Sequence, residues 1–221
     1  MITRVKTGQT NSYLVNTQNG YILVDTGTAN QSNKIEKALK KLGAGLESIK
    51  LIIITHAHYD HTGSLKDLRE KSGASVLAHE KEEELLKAGK TDFPAGTIIF
   101  TKLLSSLGNS LIQMKFKPVK PDITISQNYS LEDYGIQGEV IHTPGHTEGS
   151  ISVFINNEHL ICGDTFFNIL PGSVYPLFAD NQKQLLQTWE MIEKLNIKTF
   201  YPGHGNSFDS HKFHKTLKRN K

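Results

Sequence analysis

Over the first 26 residues, short apolar runs alternate with turn residues. Ser12 to Val15, then Asn19-Gly20, then Tyr21 to Val24 predicts a β-hairpin ending on Asp25. The period then lengthens. Apolar residues at 35, 38, 39 and 42 share one helical face between Ser32 and Leu42, and Gly43 is a natural stop. Leu51 to Ile54 is a continuous apolar run rich in β-branched residues, the pattern of a buried strand. It empties into Thr55-His-Ala-His-Tyr-Asp-His-Thr-Gly63, and a helix is expected from there to about Lys71. Val76 to Ala78 predicts a strand and Glu80 to Leu86 a helix.

From about Lys87 to Pro121 the pattern changes. The segment is apolar, with Phe93, Ile98 to Phe100, Leu103, Leu104, Leu107, Leu111, Ile112 and Met114. Between Asp92 and Asp122 there is no acidic residue, but there are four lysines. Strands resume at Ile123 and are expected at Glu139 to Ile141, Ile151 to Ile155 and Leu160 to Cys162. Gln182 to Leu195 predicts a helix, Thr199 to Tyr201 a last short strand, and Ser210 to Arg219 a terminal helix. No linker, low-complexity tract or fixed repeat interrupts the chain. Strands and helices in two similar halves imply an α/β fold over residues 1–221, read as one domain, with sheets face to face and helices outside.

Composition narrows the class of function. The 221 residues carry 25 basic and 22 acidic side chains, a formal +3. That is too mild for a nucleic-acid partner, which needs a concentrated basic surface. A single cysteine rules out an internal disulfide and fits a reducing compartment. The N-terminal Met1-Ile-Thr-Arg-Val-Lys-Thr-Gly8 lacks the apolar run of a signal peptide, and no stretch has the length of a membrane span. These features point to a cytoplasmic protein with a small-molecule substrate.

The chemistry is concentrated in seven residues. His56, His58, Asp60 and His61 form one cluster, and His146, Asp164 and His204 stand singly, each in a turn expected at a strand end. In an extended turn, residues i and i+2 point the same way, so His56 and His58 can reach one ion. Asp60 and His61, further round, can face a second. Four ligand-type residues within six would crowd and repel without a cation between them. His146 lies in Thr143-Pro-Gly-His-Thr147, Asp164 in Cys162-Gly-Asp-Thr165, and His204 in Tyr201-Pro-Gly-His-Gly205. Imidazole and carboxylate without cysteine suit zinc, and iron(II) or manganese(II) as well. Asp25 is expected behind the ligands, as the acceptor that orients a histidine. His142, inside a strand, is expected to pack or support rather than ligate. His79 and His159 are read as structural, His211 and His214 as part of a solvated basic tail, and Cys162 as buried and inert.

These motifs resemble those of the metallo-β-lactamase superfamily, in the order Leu23-Val-Asp-Thr-Gly27, His-x-His-x-Asp-His, and the three later turns. The resemblance implies a four-layer αβ/βα sandwich with two metal ions at one sheet edge. It also implies that His56, His58 and His146 hold the first ion, and Asp60, His61 and His204 the second, with Asp164 bridging. A binuclear centre implies hydrolysis of an ester, thioester, lactone, amide or phosphodiester, with Asp60 carrying a proton to the leaving group. No Gly-x-Ser-x-Gly elbow offers a serine-hydrolase route.

Departures from particular branches sharpen the expectation. Glyoxalase II is similar at Gly163-Asp-Thr-Phe166, but its Gly-Cys-Gly-basic segment is replaced by Phe167-Asn-Ile-Leu-Pro-Gly172, and 17 residues follow His204. Glutathione thioesters are therefore disfavoured. Quorum-quenching lactonases carry a tyrosine where this chain has Phe167. Iron-dependent persulfide dioxygenases share the histidine motif, and a phosphodiesterase is the other alternative to acyl hydrolysis. The 87–121 segment, with Ile99, Leu103, Leu107 and Leu111 at helical spacing, reads as a lid with an apolar wall and lysines for an anionic end. A homodimer contact, or an insertion packed on the sandwich, is the other reading of that segment.

Overall fold

The computed structural model describes residues 1–92, 94–98, 101–103, 105 and 114–220. Strands β1 (Ile2–Thr7), β2 (Thr10–Thr17) and β3 (Gly20–Val24) form an antiparallel meander. Helix α1 (Ser32–Lys41) crosses over to β4 (Ile49–Ile53), which lies parallel to β3. The short α2 (Tyr59–Thr62) and α3 (Leu65–Ser72) lead to β5 (Ser75–His79), parallel to β4. After α4 (Glu83–Ala88), β6 (Lys90–Thr91) pairs antiparallel with β7 (Met114–Lys115) at the root of the apolar segment. Strand β8 (Ile123–Ile125) completes a six-stranded sheet in the order β1-β2-β3-β4-β5-β8.

The second sheet has the order β14-β13-β12-β11-β10-β9. Strands β9 (Tyr129–Ser130), β10 (Gly138–His142), β11 (Ile151–Ile155) and β12 (His159–Asn168) run antiparallel in succession. Helix α5 (Gln182–Glu193) crosses to β13 (Thr199–Gly205), parallel to β12, and β14 (Phe208–Asp209) turns into α6 (Ser210–Asn220). No helix among the described residues is long and apolar enough to cross a membrane.

Side-chain alternation builds the four layers. Tyr13, Val15, Ile22, Val24, Leu51 and Ile53 face the second sheet, where Val140, Ile151, Val153, Ile155 and Ile161 meet them. The residues between them, Leu14, Leu23 and Ile52, face outward onto Ile35 and Leu39 of α1 and Leu65 and Leu68 of α3. The outer face of the second sheet, through Phe154, Leu160, Cys162 and Phe166, packs on Leu185 and Trp189 of α5 and Phe213 of α6. Central strands therefore bury both faces, which is why they read as unbroken apolar runs. A one-residue slip would exchange the two cores, so the register is tightly specified. The four-layer expectation holds.

Two predicted boundaries need correction. The strand expected to stop at Cys162 continues as β12 to Asn168, and the one expected to stop at Tyr201 continues as β13 to Gly205. The register between them shifts at Gly163 and again before Phe167. Gly163 takes a left-handed φ of 46°, so the strand bends without ending, and Asp164 and His204 sit within irregular strands rather than in turns beyond them. The edge strand β1 was not anticipated, because its pattern holds few apolar residues.

The 87–121 segment is only partly within the described residues. Ile99, Leu107 and Leu111 of the expected helical face lie outside them, and Leu103 is exposed. What is described is tied down along residues 176–179. Thr97 donates N–H to Leu177 O and its hydroxyl to Pro176 O, and Ala179 donates N–H to Ala95 O. The four lysines do not line the cavity described below. Lys115 and Lys117 line a separate groove with Asn30 and Ser32, Lys120 borders one with Arg69, and Lys102 is exposed.

Candidate metal centre

The site forms where the two sheets meet at the carboxyl ends of β3, β4 and β10, with β12 and β13 alongside. A backbone bond from Ile151 N to Thr55 O (2.9 Å) closes the two sheets at this edge. His56, Ala57 and His58 extend from β4, and the turn of α2 swings Asp60 and His61 to the same side. His146 arrives from the β10–β11 connection, Asp164 from β12 and His204 from β13.

All seven predicted residues converge. Their donor atoms fall into three overlapping groups, each compact enough to hold one ion: His56, His58 and His146; His56, His61 and Asp164; Asp60, His61 and His204. In the first, His146 Nε2 stands 3.1 Å from both His56 Nε2 and His58 Nδ1. A tetrahedral ion with bonds of about 2.0–2.1 Å has ligand–ligand edges of roughly 3.3 Å, so this spacing fits one. In the second, Asp164 Oδ1 lies 3.3 Å from His61 Nε2, and Asp164 Oδ2 reaches His204 Nε2 of the third at 3.3 Å. His204 Nε2 is also 3.4 Å from Asp60 Oδ2.

The far sides of the imidazoles fix which nitrogen faces inward. His146 Nδ1 donates to Phe178 O at 2.9 Å, leaving the Nε2 lone pair for the site. Asp25 Oδ2 accepts from His61 Nδ1 at 2.7 Å, which leaves Nε2 free. The same oxygen accepts the Thr55 hydroxyl at 2.8 Å, and Thr55 Oγ1 in turn lies 3.1 Å from His56 Nδ1. Asp25 thus orients a histidine of each outer group, one directly and one through Thr55. His61 Nε2 and Asp164 Oδ1 remain buried without a hydrogen-bond partner. Two buried atoms that face each other at 3.3 Å, neither satisfied elsewhere in the protein, are an arrangement that a proton on His61 or a metal cation completes.

Electrostatics divide His56 and His58 from His61 and His204. Burial takes His56 well below the ordinary histidine value, and His61, His146 and His58 push it the same way. Burial and His146 bring His58 down to about 3. Burial also opposes charge on His61, but Asp164, Asp25 and Asp60 together hold it well above the ordinary value. Burial is outweighed likewise at His204, which Asp164 and Asp60 raise to about 9. Asp164 stays ionised against its burial because His204 and His61 hold it well below the usual carboxylate range.

Backbone contacts support the second group from β2. Thr10 Oγ1 donates to Asp60 O at 2.6 Å, and Asn11 Nδ2 donates to Pro202 O and Gly205 O on either side of His204. Gly203 approaches so closely that a Cβ there would stand 2.3 Å from Asp164 Oδ1 and 2.7 Å from His61 Cε1.

A cavity of about 230 Å³ opens over the converging donor atoms. Gln9, Tyr59, Asp60 and Asp92 supply its polar wall, and Pro94, Met114, Phe167 and Phe178 its apolar one. No lysine or arginine is among its described lining residues. The phenyl ring of Phe167 lies 4.6 Å from the ring of His204. His142 and Cys162 lie behind the donor atoms, outside all three groups. His142 bonds Glu148 O and stacks on His79 at 4.1 Å, and Cys162 is buried, its thiol pushed up by burial and Asp164. Thr55 and Glu82 were missed: a threonine ending a strand and a glutamate in an acidic run carry no spacing signal. Glu82 is buried on Ala57 N, Thr147 Oγ1 and Gly149 N.

The family model of the metallo-beta-lactamase superfamily matches residues 5–204. A probable metallo-hydrolase of Methanocaldococcus jannaschii is 34% identical over 204 residues, covering 90% of this chain and 89% of that one. A hydroxyacylglutathione hydrolase of Pelagibacter ubique is 28% identical over 167 residues, covering 75% of this chain and 55% of that one. The solved beta-lactamase from Chitinophaga pinensis superposes with a TM-score of 0.73 at 22% identity, over 99% of this chain and 87% of its own, a likeness of fold. With sequence, fold and donor geometry in agreement, the chain belongs to the metallo-β-lactamase superfamily.

Proposed function

We propose that this chain is a binuclear metal-dependent hydrolase acting on a small ester, thioester or lactone. His56, His58 and His146 would hold one divalent ion, and Asp60, His61 and His204 a second, with Asp164 shared. The observation that carries this reading is the reach of Asp164, whose two oxygens lie within 3.9 Å of a ring nitrogen on His56, His61, His146 and His204. Donors of this kind suit zinc first, with iron(II) and manganese(II) as alternatives. When bound, such ions polarise a carbonyl oxygen and lower the pKa of water toward neutrality.

The chain's own residues supply positioning and proton handling. Pro94, Met114, Phe167 and Phe178 shed water and receive an apolar acyl group. Asp60, on the cavity wall, is the group assigned to carry a proton to the leaving atom, with His204 holding its carboxylate in place. Pro94 and Met114 bring the 87–121 segment onto the substrate space, which supports the lid reading.

Some relatives are named hydroxyacylglutathione hydrolases, so a glutathione thioester has to be weighed. The cavity is small, shows no cation among its described lining residues and carries Asp92. Those features support a neutral acyl substrate over the carboxylates of glutathione, which lie away from the reacting centre. Metal-loaded protein assayed on neutral p-nitrophenyl esters, a simple lactone, a lactoylglutathione thioester and bis(p-nitrophenyl) phosphate tests this. We expect kcat/KM for the neutral acyl substrates to exceed the anionic ones by about tenfold or more, roughly 1.4 kcal/mol of barrier. Activity should vanish on chelation and return with the ion. Fastest turnover of the phosphodiester, or oxygen uptake with a persulfide, would overturn the reading.

A further inference from the structure

Glu82 stands in the run Glu80-Lys-Glu-Glu-Glu84, and such a run is ordinarily a solvated helix face. Glu80 and Glu84 are exposed, but Glu82 is 2% exposed. The 3-10 turn Glu80–Glu82, between β5 and α4, directs its side chain inward. Oε2 accepts the Ala57 N–H at 2.8 Å, while Oε1 accepts the Thr147 hydroxyl at 2.7 Å and the Gly149 N–H at 3.1 Å. Among the described residues no ion pair involves Glu82; those donors, with a smaller pull from His146, oppose its desolvation without cancelling it.

The identity of the donors gives the arrangement its meaning. Ala57 is the residue between His56 and His58, and Thr147 follows His146. One carboxylate therefore ties together, from a third element, the two backbone segments that carry the whole His56–His58–His146 group. Gly149 permits it, since a Cβ there would stand 2.6 Å from Glu82 Cγ. Those three histidines bring lone pairs to 3.1 Å across the two segments, an approach that needs an outside restraint until an ion fills it. The Asp60–His61–His204 group is held by other contacts, through Asp25, Thr10 and Asn11.

We propose that Glu82 is a positioning residue that presets the His56–His58–His146 group for its ion and leaves the other group untouched. This rests on the metal-centre reading above. Removing an outer partner of a metal ligand ordinarily weakens binding about 10–100-fold, and a loss of that size is expected at the first site only.

The test is chelator competition for Zn²⁺, with Co²⁺ absorption as a signature and the melting temperature of the metal-free protein measured beside it. Glu82→Gln keeps the shape but presents amide hydrogens where acceptors are needed. In a His204→Ala background, which leaves the first group intact, Glu82→Gln should weaken the remaining site about 10–100-fold. In a His146→Ala background it should change nothing. Thr147→Val, which removes one of the three bonds, should give a smaller loss of the same selectivity, and Thr147→Ser should restore binding. If Glu82→Gln does not fold, the Thr147 pair decides. Unchanged affinity in the His204→Ala background, or equal loss in both with a falling metal-free melting temperature, would overturn the proposal. A wild-type chain that binds two ions in either case keeps the metal-centre reading standing; one that binds none removes both.

Discussion

Asp164 divides its two oxygens between neighbours, Oδ1 toward His61 and Oδ2 toward His146 and His204. Replacing it with asparagine keeps the volume and removes the charge that holds His204 at about 9. Asp164→Asn should bind at least one ion fewer by elemental analysis and lose roughly 100-fold or more in hydrolysis, beyond the 10–100-fold of an outer partner. His58→Ala should lose an ion and nearly all activity in the same assays. Gly203→Ala tests the geometry without replacing any of the seven residues. Its methyl would enter the space of Asp164 Oδ1 and His61 Cε1, so metal content should fall although every ligand is present. Unchanged stoichiometry in Gly203→Ala would mean that β13 yields more than close packing allows. The ligand-type residues were legible because period-two spacing after a strand gives His56 and His58 a common direction. Thr55 and Glu82 were not, because their roles depend on a hydroxyl facing Asp25 and a carboxylate turned inward. Burial of one glutamate among five charged residues leaves no trace in composition.

Elements were most legible where a strand buries both faces. Leu51 to Ile54 and Ile151 to Ile155 were predicted within one or two residues, because apolar side chains on consecutive positions have two cores to fill. The ends of β12 and β13 were misjudged for the opposite reason. There the pattern carries Gly163 and Asp164, then Pro202 to His204, residues ordinarily read as turns, and only the pairing across β12 and β13 keeps the backbone extended. What stabilises that irregular stretch is its outer support. Phe166 stacks on Trp189 at 4.7 Å, and Trp189 Nε1 donates to Thr165 O at 3.1 Å, one residue from Asp164. Trp189→Ala should therefore cost about 3–5 kcal/mol in urea unfolding, the usual range for deleting a buried aromatic. Trp189→Phe keeps the stacking and loses the donor, so it should cost about 1–3 kcal/mol through the unpaired Thr165 carbonyl. A larger drop in metal affinity for Trp189→Phe than for a comparable core change such as Phe213→Leu would tie α5 to the centre. Equal drops would confine it to the fold.

At the scale of the whole molecule, metal should change how stability depends on pH. In the metal-free protein His204 is raised to about 9 and His61 is raised well above the usual value. A raised folded value means that their contribution is complete below the unfolded histidine pKa, about 6.5, and is lost as pH climbs through about 9. His56 is lowered and His58 falls to about 3. The unfolded chain takes up those protons below about 6.5 while the folded chain refuses them, so stability also falls on the acid side. The metal-free melting temperature should therefore peak near pH 6.5 and decline in both directions. Ions bound there would take the place of the protons on His61 and His204, so the loaded protein should lose the alkaline decline. On the acid side protons would compete with metal for the five histidines, which should steepen the fall. The separation between loaded and metal-free melting curves should thus widen steadily from about pH 6.5 to about 9. Scanning calorimetry on chelated and loaded samples reads this directly. A metal-free curve flat across that range would show that Asp60, Asp25 and Asp164 do not hold the two histidines charged, and the electrostatic division of the site would fall with it.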